Sequence, residues 1–92
     1  MPGPIATVDD AEDRTSQYLV KKFPDEYDRQ RTRFTRVFFD KEKNVWHVRA
    51  ELALIRTKAR ILKLHVRHFL QVDINPDNQN IMYYEEGPPQ KF

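Results

Sequence analysis

Four residues in the stretch NVWHVRAELALIRTKARILKLHVRHFLQVDI (44–74) have the types and spacing to do chemistry together: Arg49, Lys63, His65 and Arg67. All carry odd numbers. In an extended chain successive side chains alternate faces, so these four project to one side of a sheet. Arg31 and Arg33 can join them from the preceding segment RTRFTRVFF, and Phe69 falls on the same side. Cations beside an aromatic ring on a sheet are what single-strand nucleic-acid binders use, with guanidinium and ammonium groups for phosphates and a ring for a base. The same surface can equally dock an acidic protein partner, or remain a solvated face knitted by cross-strand ion pairs. Glu51 lies in the same row and cancels part of the charge.

Other chemistries fit less well. His65 and His68 are three apart, which sends them to opposite faces of a strand, so they cannot chelate one ion. His47 and His65 are cross-strand neighbours only in one hairpin register, and two imidazoles without a carboxylate or thiolate make a poor zinc site. His68, on the apolar side, is expected to be a hydrogen-bonded border histidine. DINPDNQN (73–80) offers the oxygens of Asp73, Asn75, Asp77 and Asn78, but lacks the bend glycine and closing glutamate of a calcium loop, and a hairpin turn accounts for it. The only serine, Ser16, has no glycine elbow, there is no cysteine, and the carboxylates are scattered. No enzyme activity, cofactor, metal or small-molecule substrate is therefore expected.

The elements that must hold the basic row are readable from periodicity. TVDD opens a helix: Thr7 can accept from the Asp10 amide, and Asp9, Asp10, Glu12 and Asp13 suit the positive end of the helix dipole. Val8, Ala11, Thr15, Tyr18, Leu19 and Lys22 share a face, which predicts a helix over 8–22, ended by Pro24. From Arg31 the period becomes two. A first strand is expected over 31–39, with Phe34 and Phe38 on one side and Val37 and Phe39 on the other. Strands over 45–55 and 60–74 follow, both with apolar residues at even positions, and RTKA (56–59) turns the chain between them. After NPDNQN a short strand, IMYYEE, is expected, and GPPQKF should fray.

These elements make an α+β domain over 7–86: an N-terminal helix packed on one face of a four-stranded antiparallel β-meander, with 1–6 a flexible leader and 87–92 a flexible tail. The helix should cover the even side, with Trp46 and Phe34 near its centre. The charges recur every second residue because such a sheet needs only one oily face.

Size and composition bound the rest. Ninety-two residues support one core. Charged residues are 33% of the chain and hydrophobic residues 39%, enough apolar material to fold. A net charge of +2 is too small for nucleic-acid binding to be read from the total. No apolar run approaches the ~20 residues that span a bilayer, and MPGPIATVDDAEDR has neither a basic n-region nor an apolar h-region. The expected location is cytoplasmic. Phe39, Val37, Ile55, Val45 and Phe69 would be awkward if fully exposed, so self-association of two sheets face to face is a further expectation.

Three segments also resemble the PepSY-type domain, a small module with a helix on an antiparallel sheet. TVDDAEDRTSQYLVKKF is similar to that family's capped opening helix. NVWHVRAEL resembles its central strand, and HFLQVDINPDNQNIMYYEE looks like its closing unit, with Asn78-Gln79-Asn80 where a Thr-Gly pair is common. The resemblance implies a binding or regulatory role, in some members peptidase inhibition, and no catalytic residues. Taken together, the expected function is a small intracellular interaction or regulatory module working through protein contacts, as a homodimer or with another protein. The alternative is a small nucleic-acid-binding protein using the basic outer face.

Overall fold

A computed structural model describes residues 5–58, 62–88 and 90–91, and the side chains of all of these except 57–58, 62–64 and 90–91. Helix α1 (Val8–Lys22) is followed by strands β1 (Arg33–Asp40), β2 (Val45–Lys58), β3 (Leu62–Ile74) and β4 (Ile81–Glu86). The sheet order is β1-β2-β3-β4, every pairing antiparallel. This is the α+β meander that the alternating pattern predicts. A capping box closes the start of α1: Thr7 Oγ1 accepts from the Asp10 amide at 3.1 Å, and the Asp10 carboxylate accepts from the Thr7 amide at 3.2 Å.

The core is the even side of β2 and β3. Trp46, Val48, Ala50, Leu52 and Leu54 are buried there with Val66, Leu70, Val72 and Ile74, beneath Ala11 and Leu19 of α1. The inward setting expected for Leu62 and Leu64 lies outside the described side chains. Thr15 is also fully buried, because its hydroxyl donates back to the Ala11 carbonyl at 2.8 Å and leaves its methyl to pack. Tyr18 meets the ring of Tyr84 on β4 at 5.4 Å, and the Lys22 ammonium lies 4.5 Å from that ring.

The first strand departs from simple alternation. Its pairing with β2 runs from Phe34↔Ala50 directly to Arg36↔Arg49, so Thr35 is an extra residue, a β-bulge. The bulge resets parity. Phe34, Val37 and Phe39 share the helix side opposite Ala50, Val48 and Trp46, while Arg33, Arg36 and Phe38 share the outer side. Phe34 and Phe38 are thus on opposite faces, where uninterrupted alternation puts them together. Two of the residues expected to drive a face-to-face dimer, Val37 and Phe39, belong to the covered side instead.

The ends of the elements differ from the expected ones for local reasons. Arg31 and Thr32 precede β1 rather than opening it. The segment 26–32 instead runs beside β2 where β1 has not begun: the Ile55 amide donates to the Glu26 carbonyl (2.7 Å) and the Asp28 amide to the Ala53 carbonyl (3.0 Å). Thr32 Oγ1 accepts from the Ala53 amide and donates to the Asp28 carbonyl. Arg56, Thr57 and Lys58 continue β2 instead of turning, and the hairpin register is Ile55↔His65 through Lys58↔Leu62. Nor are the expected loose ends all loose. Gln90–Lys91 forms a fifth short strand, β5, on Val66 and Arg67 of β3. Ile5 is buried; its amide donates to the Pro76 carbonyl (2.8 Å), and its carbonyl accepts from the Trp46 indole (3.0 Å).

Candidate functional site

The uncovered face of the sheet is built from odd positions of β2 and β3, the outward residues of β1, and Tyr83 and Glu85 of β4. Of the expected site residues, Arg31, Arg33, His65 and Arg67 converge. With Gln30 they line an open cleft of about 540 Å³. Two devices produce this convergence. Asp28 accepts from the Arg31 side chain at 2.7 Å and from its amide, which holds the loop against the start of β1. The antiparallel pairing of β1 with β2 then sets Arg33 outward, opposite Glu51. Arg49 and Phe69 lie apart from the cleft, in a neighbouring recess of about 280 Å³ shared with Gln71 and Glu85. The Lys63 side chain lies outside the described residues.

The charges are partly neutralised. Arg67 donates to Glu51 at 2.9 Å, a direct pair within the row. Arg31 remains about half exposed despite its bond to Asp28, whose carboxyl that guanidinium holds below the usual carboxylate range. Among the described residues, Arg33, Arg36 and Arg49 form no ion pair. Phe69 is 52% exposed in the middle of β3, a large apolar side chain about half open to water. Ile55 is half-buried and Val45 buried, so Phe69, Phe38 and the ring of Tyr83 are apolar groups this face offers to water.

A second constellation, unforeseen from sequence, lies at the far end of the same face. His47 sits between two carboxylates: Nδ1 is 2.7 Å from Asp73 and Nε2 is 3.1 Å from Asp40. Both hydrogen bonds form at once only when both ring nitrogens carry protons. The bond from His47 is the main reason the Asp40 carboxyl is held below its ordinary range. Phe38 packs on the imidazole with ring centres 5.0 Å apart, and the Arg36 guanidinium stacks 4.6 Å from Phe38. The stack joins β1, β2 and β3 by side chains alone. Only a register with Asp73 opposite His47 makes it, and register is what residue spacing left open.

The remaining candidates have structural duties. His65 and His68 do fall on opposite faces; His68 is buried on the helix side, its Nδ1 2.9 Å from the Gly87 carbonyl. His47 is opposite Asp73, and His65 opposite Ile55, so these two histidines are not cross-strand neighbours. Among the described residues no three His, Asp or Glu side chains converge as metal ligands would. In 73–80, Asn75 Oδ1 accepts from the amides of Asp77 and Asn78, and Asn78 Oδ1 from that of Asn80. These oxygens cap a tight turn, with Gln79 in the left-handed region at φ 63°. Ser16 Oγ is 3.1 Å from Tyr27 Oη, which pins the post-helix loop to α1. Burial pushes the Tyr84 hydroxyl well above the ordinary phenol range.

Comparison with known proteins finds no matching family model, no matching curated protein and no matching solved structure. Among the described residues no helix is long and apolar enough to cross a membrane.

Proposed function

We propose that this domain is a non-enzymatic interaction module that binds another protein through the outer face of its sheet. One observation carries the reading: Phe69, half exposed, stands on a face where acids and bases alternate at close range. An exposed ring surrounded by charges of both signs matches a protein interface, with an apolar anchor and a polar rim. A nucleic-acid groove needs a continuous run of unopposed cations, and here Glu51, Asp73 and Glu85 interrupt it. The PepSY-like motifs support the same binding or regulatory role, and the absence of cysteine agrees with a reducing, cytoplasmic setting. With Val37 and Phe39 on the covered side, the face suits a different protein better than a second copy of itself.

The test is affinity capture with the wild-type chain and Phe69→Glu in parallel, followed by binding of the purified captured protein. A protein retained by the wild type, lost with Phe69→Glu and binding directly once purified is the expected result. Capture that disappears on nuclease treatment would instead favour the nucleic-acid alternative, and a gel shift with single-stranded oligonucleotides at low salt would then show retardation.

A further inference from the structure

Given the interaction reading above, we infer that the cleft formed by Arg31, Arg33, His65 and Arg67 receives an extended acidic segment of the protein partner, with carboxylates two residues apart. The cleft brings three guanidinium groups to one open cavity of about 540 Å³. Two of them are already oriented by an internal carboxylate, Arg31 by Asp28 and Arg67 by Glu51. A guanidinium has five N–H donors in a rigid fork, so Arg31, held by Asp28 and about half exposed, can meet a second carboxylate without reorganisation. Arg33 lines the same cleft without an ion pair among the described residues.

The spacing supplies the specificity. Arg31 and Arg33 are two residues apart, as are His65 and Arg67, and in the β3 pair that means about 6.5–7 Å along one face. An extended peptide with acids at every second position presents carboxylates at the same interval. A phosphate backbone fits less well, because Asp28 and Glu51 stand within the cation cluster and the rest of the face alternates in sign. Short acidic peptides offer bidentate partners without imposing a long line of negative charge.

Titration of the full chain, followed by ¹H–¹⁵N NMR shifts, tests this with three probes: acetyl-(Glu-Ser)₄-amide, acetyl-(Lys-Ser)₄-amide and deoxythymidine decamer. The expected result is saturable binding of the Glu-Ser peptide at ~10 mM salt, weakened at ~300 mM where surface charges are screened. No binding of the Lys-Ser peptide is expected. Arg33→Gln should weaken the Glu-Ser peptide by roughly tenfold, as loss of one charge-assisted pair would, and Arg36→Gln, on the same face but outside the cleft, by less than about twofold. Absence of Glu-Ser binding at low salt overturns the inference, as does equal weakening by both variants. Tighter binding of the oligonucleotide than of the peptide overturns it too. If the peptide fails while Phe69-dependent capture succeeds, the cleft assignment falls and the interaction face stands.

Discussion

At the residue scale, the most informative side chain is His47, a polar group that ties three strands together across the outer face. His47→Ala removes the short bond to Asp73 and the ring under Phe38, and should lower stability by about 1 kcal/mol in urea denaturation at neutral pH. A normal urea midpoint in that variant would mean the clamp is decorative. The partner Asp40 makes a pH prediction. Its folded carboxyl titrates below the unfolded value of 3.8, chiefly because of the His47 bond. Its contribution is therefore present above that value and is lost as the pH falls through the lower folded one. Asp40→Asn should flatten the acid limb of the stability–pH profile below about pH 4, and the Asp28–Arg31 pair should preserve a remaining slope. A profile unchanged in shape would contradict this assignment.

At the element scale, β1 explains how a single extra residue decides which groups meet water. Because Thr35 is the unpaired member of the bulge, deleting it leaves Phe34 opposite Ala50 and Arg36 opposite Arg49, with every neighbour on its present face. That deletion should fold and cost only about 1 kcal/mol, the worth of the hydrogen bond from Thr35 Oγ1 to the Arg49 carbonyl. Deleting Val37 instead shifts one part of the strand against the other and forces residues on one side of the gap to exchange faces. Thermal melts of the two deletions should differ sharply, the second showing no cooperative transition. Helix α1 is the other element with a measurable role. Leu19 is its largest fully buried side chain, so Leu19→Ala should cost about 2–4 kcal/mol, a large share of the margin of a chain this size.

At the scale of the whole molecule, the fold divides labour between its two sheet faces. One is sealed by α1, by Ile5 and by the aromatic contacts of Trp46 and Tyr84. The other keeps Phe69, Arg33 and Arg49 uncovered on a rigid, two-stranded spine of long β-strands. A binding surface on such a spine is pre-organised, so contact energy is not spent on ordering it. Phe69→Glu should accordingly change the melting free energy by no more than about 0.5 kcal/mol while abolishing partner capture. A destabilised Phe69→Glu variant would remove the distinction between lost folding and lost binding, and circular dichroism decides which holds.

The amino-acid sequence by itself determined the helix with its Thr7 cap, the two long strands with even residues inward, the turn at 75–80 and the basic row that faces out. These are local matters: dihedral preferences, capping chemistry and a period of two act over a few residues, so they can be counted along the chain. Tertiary structure alone decided the bulge at Thr35, the His47 clamp, the docking of Ile5 and 26–32, and the cleft that gathers Arg31 and Arg33 with His65 and Arg67. Each depends on the register between segments distant in sequence. Register is set by the packing of whole faces against one another, a sum over many weak contacts that no single spacing records.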